Sequence, residues 1–63
     1  MKPELFNALV TECKAALELS KSEGQAAINA SSRMIEGLAS VFSRHDKSFN
    51  HKDFLKKTLF PID

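Results

Sequence analysis

Cysteine is almost absent from this sequence. Cys13 is the only one, so no intrachain disulfide can form and the stapled secreted mini-protein class is excluded. A reducing cytoplasm is the expected compartment. Metal-ligand spacing is also missing: Cys13, His45 and His51 form neither a CxxC nor an HxxxH pattern, and a structural zinc site normally takes four ligands. No metal and no cofactor is expected. There is no Gly-rich phosphate loop, nucleophile elbow or HExxH helix, so an enzyme is not expected either. No apolar run approaches the roughly 20 residues that span a bilayer. Met1-Lys2-Pro3-Glu4 leads straight into a mixed apolar and charged segment rather than a signal-peptide core. A soluble chain that does not engage membranes is the expectation.

A strong net charge is lacking too. The formal value is +1, which argues against a dedicated nucleic-acid binder with its clear basic excess. The balance is uneven along the chain. Residues 1–36 carry Lys2, Lys14, Lys21 and Arg33 against Glu4, Glu12, Glu18, Glu23 and Glu36, while residues 37–63 carry Arg44, Lys47, Lys52, Lys56 and Lys57 against Asp46, Asp53 and Asp63. The first part is slightly acidic and the second mildly basic. At 63 residues the chain has room for a single domain, below the roughly 70–80 residues at which one core supplies more than about 3–5 kcal/mol unaided. Without disulfide or metal, it must rely on tight helix packing and self-association.

What is present is helical periodicity. Pro3 suits a first helical turn, and Glu4 beside it complements the positive end of the helix dipole. From about residue 4 to 20, Leu5, Phe6, Leu9, Val10, Cys13, Ala16 and Leu17 share one face at about 100° per residue. Leu19 falls off that stripe and is a candidate for a second contact surface. Ser22 followed by Gln25 has the form of a capping box, so a second helix is expected over about residues 23–43. An unbroken helix through Gly24 would leave both apolar faces without an intrachain partner, which favours a hairpin. The second stripe holds Ala27, Ser31, Met34, Ile35, Leu38, Val41 and Phe42. Ser31 sits mid-stripe, where its hydroxyl can bond the carbonyl four residues back. The stripe is thin near the turn and bulky beyond it, so the hairpin should splay at its open end. Asn50, with Asp53 three residues on, is a good N-cap for a third helix over about residues 51–59, ended by Pro61. Phe49, Phe54, Leu55, Leu59, Phe60 and Ile62 should pack it across the splayed end.

The candidate chemical groups have plain explanations. Cys13 lies on the apolar stripe, where a thiol is an inert small hydrophobe and burial raises its pKa. His45 and His51, near Asp46 and Asp53, could form a weak surface metal or pH-sensitive patch, but loop polarity accounts for the first and packing beside Phe54 and Leu55 for the second. The bases Arg44, Lys47, Lys52, Lys56 and Lys57, interleaved with Phe49 and Phe54, could contact nucleic acid. On a helix, however, Phe54 faces inward and Lys56 and Lys57 point elsewhere.

The run Met34-Ile35-Glu36-Gly37-Leu38-Ala39-Ser40-Val41-Phe42, followed by Asp46, Phe49-Asn50 and Phe54-Leu55, resembles the carboxy-terminal segment of small uncharacterised phage, prophage and plasmid proteins. In those, a helix with a Leu-Ala pair leads into Phe-Asp-x-x-x-Phe-Leu. The resemblance covers about residues 34–57. Here Asn50 stands for the usual Asp, and Phe60-Pro61 stands where such proteins often end in a small residue or cysteine. The resemblance implies a mobile-element accessory protein and no particular activity. Taken together, the sequence predicts an all-α domain over residues 1–63, an antiparallel hairpin plus a short third helix, which dimerises and binds a larger protein. The expected interaction surface is Leu19, Ile28, Ile35, Phe42, Phe49 and Phe60. The alternative is a nucleic-acid-binding regulator using Arg44, Lys47, Lys52, Lys56 and Lys57.

Overall fold

A computed structural model describes residues 1–60. The expected helix stop at Pro61 and the apolar Ile62 lie outside the described residues. The described chain is all-α, with α1 over Pro3–Lys21, α2 over Gln25–His45 and α3 over His51–Thr58. None of these helices is long and apolar enough to cross a membrane.

Each terminus has a local cause. Pro3 opens α1 and Glu4 lies in its first turn, as the dipole favours. The turn between α1 and α2 departs from the capping box expected at Ser22. Ser22 instead closes α1, its hydroxyl donating to the Leu19 carbonyl at 2.8 Å. Gly24 is the residue before α2, with φ at 108°. That left-handed backbone is open to glycine and strained for other residues, so the glycine sets where α2 begins. For α3 the expected cap is present: the Asn50 side chain accepts from the Asp53 backbone N–H at 2.9 Å.

All three helices pack on one another. The buried apolar residues are Cys13, Ile35, Ala39, Phe49 and Phe54, with Phe6, Leu9, Val10, Leu17, Phe42, Leu55 and Leu59 packed around them. At the open end of the hairpin four phenylalanines meet. Phe49 lies 5.6 Å from Phe6, 5.5 Å from Phe42 and 5.2 Å from Phe54 between ring centroids, and Phe6 meets Phe54 nearly edge-on at 5.8 Å. Tilted pairs at this range each add about 0.5–1.5 kcal/mol beyond the area they bury. The third segment therefore does fill the splayed end. It does not stay there: Thr58, Leu59 and Phe60 reach the same groove as Leu17, Lys21, Ile28 and Ser32, so α3 runs lengthwise from the open end towards the turn.

That placement corrects the inward face of α2. Met34, Leu38 and Val41 are exposed, while Ala39 is completely buried. With α1 on one side and α3 on the other, α2 turns Ile28, Ile35, Ala39 and Phe42 inward. Small Ala39 lets α3 come close. Ser31 also differs from expectation. Its hydroxyl meets that of Ser20 at 2.5 Å, and Ser20 in turn donates to the Ala16 carbonyl at 2.9 Å. Because a hydroxyl carries one proton, Ser31 is the donor between the two serines. The pair joins α1 to α2 near the turn.

Candidate functional site

Among the described residues no three His, Cys, Asp or Glu side chains gather where they could hold a metal ion. Cys13 is buried, and its pKa is raised first by burial and then by the Glu12 carboxylate, so the thiol is held in its unreactive form. His51 borders a shallow hollow with Ser40, Ser43 and Arg44, and His45 is the last residue of α2.

The features that remain are surfaces. Leu5, Leu19, Met34, Leu38, Val41 and Phe60 are all exposed, Leu19 and Met34 by 71% and 72%. Among the described residues, these six large exposed apolar side chains outnumber the five buried apolar residues of the core. Of the six residues expected to form an interaction surface, Leu19 and Phe60 are exposed, and Ile28 and Phe42 are half-buried. Ile35 and Phe49 are core residues at 3% and 6% exposure. They cannot present a surface. Ile35 points between α1 and α3, and Phe49 is the hub of the phenylalanine cluster.

Leu17, Ile28, Leu59 and Phe60 line a groove of 340 Å³ between α1, α2 and the end of α3, rimmed by Lys14, Glu18, Lys21 and Glu36. Leu17 and Leu59, expected on the packed faces, do flank the core and also line this groove, because the short third helix leaves this end open. Leu5, Met34, Leu38 and Val41, expected inside, belong to a second apolar area on the α1–α2 hairpin.

The basic residues divide. Lys57 pairs with Asp53 at 3.0 Å and lies 5.6 Å from the Phe6 ring centre. Arg44, Lys47, Lys52 and Lys56 make no ion pair among the described residues. Asp46 accepts from the Ser48 backbone N–H at 2.9 Å and its hydroxyl at 2.6 Å, and pairs with the Met1 α-amine at 2.6 Å. Its carboxyl is held down to about 2, chiefly by the bond to that amine. Asp46 is thereby committed to the fold. Compared with protein-family models, curated proteins and solved structures, the chain matches none.

Proposed function

We propose that this chain is a small helical interaction module, homodimeric and cytoplasmic, of the phage- or mobile-element accessory kind, which binds and modulates a larger protein. The observation that carries the reading is the excess of large exposed apolar side chains over the enclosed core. A module of this kind needs an apolar patch with a polar rim, and the groove of Leu17, Ile28, Leu59 and Phe60 beneath its ring of Lys and Glu has that composition. Phe60, at the end of that groove, is the side chain offered as anchor to the larger partner. Affinity purification from the native host, comparing wild type with a Phe60→Glu bait, tests the proposal. A protein retained by wild type and lost from the charged variant supports it. Identical recovery with both baits contradicts it.

A second reading, a nucleic-acid-binding regulator, draws on Arg44, Lys47, Lys52 and Lys56, which make no ion pair among the described residues. Its signature is salt dependence, because phosphate contacts release counterions and log K falls by about 0.9 per contact for each log unit of salt on duplex DNA. Binding to a random duplex with a slope near zero, or none in low salt, removes this alternative.

A further inference from the structure

The exposed apolar side chains of α1 and α2 do not scatter; they share one side of the hairpin. At about 100° per residue, Leu5 and Leu19 on α1 project within about 40° of each other, as do Met34 and Val41 on α2, with Leu38 at their inner edge. The opposite side of each helix faces α3: Lys14, Leu17, Lys21, Ile28, Ser32 and Glu36 line the groove into which Thr58 and Phe60 also project. The hairpin is thus a two-helix layer covered by α3 on one side and bare on the other.

We infer that a second copy of this chain covers the bare side, the two hairpins packing face to face about a two-fold axis parallel to the helices. This rests on the interaction-module reading and names one partner and its geometry. Two observations select a second copy. The first is area. With the alanines between them, the five exposed side chains offer on the order of 600 Å² per chain, so a symmetric pair that covered them completely would bury on the order of 1,200 Å², the lower bound for a stable specific interface.

The second is charge. At the outer rim of the bare side α1 carries Glu4, with Glu12 on the face itself, whereas the rim of α2 carries Arg33 and Arg44, which also border the hollows shared with Glu36 and with His51. A two-fold parallel to the helices sets α1 of one copy against α2 of the other, acid against base, with every neighbouring pair antiparallel as in a four-helix bundle. The Ser20–Ser31 contact fixes the level of the helices. Glu4 lies within about one turn of the height of Arg44, so each copy's Glu4 meets the other's Arg44. A two-fold across the helices instead sets α1 against α1 and brings Glu12, midway along α1, onto its own copy. Like charges there oppose that pairing.

Sedimentation equilibrium and light scattering at micromolar concentration test the inference. Wild type should have twice the 7.0 kDa chain mass, and Met34→Glu should be monomeric with the same helical circular dichroism, since its side chain makes little intrachain contact. Glu4→Arg and Arg44→Glu should each weaken the dimer about tenfold, through two rim pairs turned repulsive. An equimolar mixture of those two variants should regain wild-type affinity, because one contact is then the wild-type pair and the other is the same pair with its charges exchanged. A monomer mass for wild type overturns the inference, while the bait comparison above still decides whether a larger partner is bound. A dimer that survives both Met34→Glu and Val41→Glu overturns this surface and leaves self-association standing. A mixture that fails to recover overturns the parallel axis.

Discussion

The α-amino group of Met1 lies 2.6 Å from the Asp46 carboxylate, so the first residue of the chain is tied to the residue that closes α2. Asp46 is lowered to about 2, first by the hydrogen bond from that amine and then by those from Ser48. A carboxyl with a folded pKa below its unfolded value of about 3.9 contributes stability that is fully present above the unfolded pKa and lost as pH falls through the folded one. Wild type should therefore melt above Asp46→Asn at pH 5 and above, with the gap closing between about pH 4 and 2. Acetylating the amine should lower the neutral-pH melting temperature in the same direction. Both effects should shrink in high salt, the pair being partly exposed. Thermal melts across pH and salt check this, and a gap that stays constant down to pH 2 would contradict it.

Phe54 and Phe60 stand at the two extremes of burial in the carboxy-terminal segment, one fully enclosed and the other 65% exposed. Phe54→Ala should cost about 3–5 kcal/mol, as expected when a fully buried ring is removed. Phe60→Ala should stay within about 0.5 kcal/mol, as is usual for exposed sites. Urea melts of the two variants make the comparison directly.

Ser31 donates its hydroxyl to Ser20, which keeps its own bond to the Ala16 carbonyl in any variant at position 31. Ser31→Ala then loses one hydrogen bond and should cost about 1 kcal/mol or less. Ser31→Leu must force the helices apart near the turn and should cost about 1–3 kcal/mol through overpacking. Denaturant midpoints that place the leucine variant level with wild type would show that the site has room.

The two glycines should respond in opposite directions to alanine. Gly24 has a positive φ, and Gly37 is mid-helix with nothing within 4 Å of an added Cβ. Gly24→Ala should destabilise by about 1–3 kcal/mol, the cost of holding a side chain at this positive φ with an extended ψ. Gly37→Ala should stabilise by about 0.5–1 kcal/mol through helix propensity. The measurement belongs in the Met34→Glu background, where intrachain terms alone decide the melting temperature.

The helices were legible because their signals are local. Pro3, Glu4, the Asn50–Asp53 cap and the period of 3.6 in α1 act within a turn of chain, and the structure uses them as read. The start of α2 was misread because Ser22 and Gln25 match a cap by spacing, whereas the outcome depended on which residue could take a left-handed φ, and that was Gly24. The inward face of α2 was misread for a different reason. Hydropathy ranks Met34, Leu38 and Val41 above Ala39, but a helix with two neighbours buries whatever lies between them, and close approach by α3 selects a small side chain. Thr58 was invisible for a related reason: its hydroxyl bonds the Phe54 carbonyl at 2.8 Å, so a polar residue satisfied by its own helix is buried without cost to its hydrogen bonding. Leu19 lies off its stripe by the same arithmetic that shows it exposed.

The phenylalanine cluster carries a consequence for the order of events during synthesis. Phe6 is made early, yet its ring partners are Phe49 and Phe54, which emerge only after both long helices. Until then α1 and α2 hold their thin ends together near the serine pair while the wide end stays wet. Contacts that span most of the chain slow folding relative to local ones, and a nascent hairpin with its aromatic rings uncovered is the species most open to chaperones, proteases and clumping. The chain is thus at its most vulnerable before α3 docks, and any substitution that delays that docking would lengthen the interval.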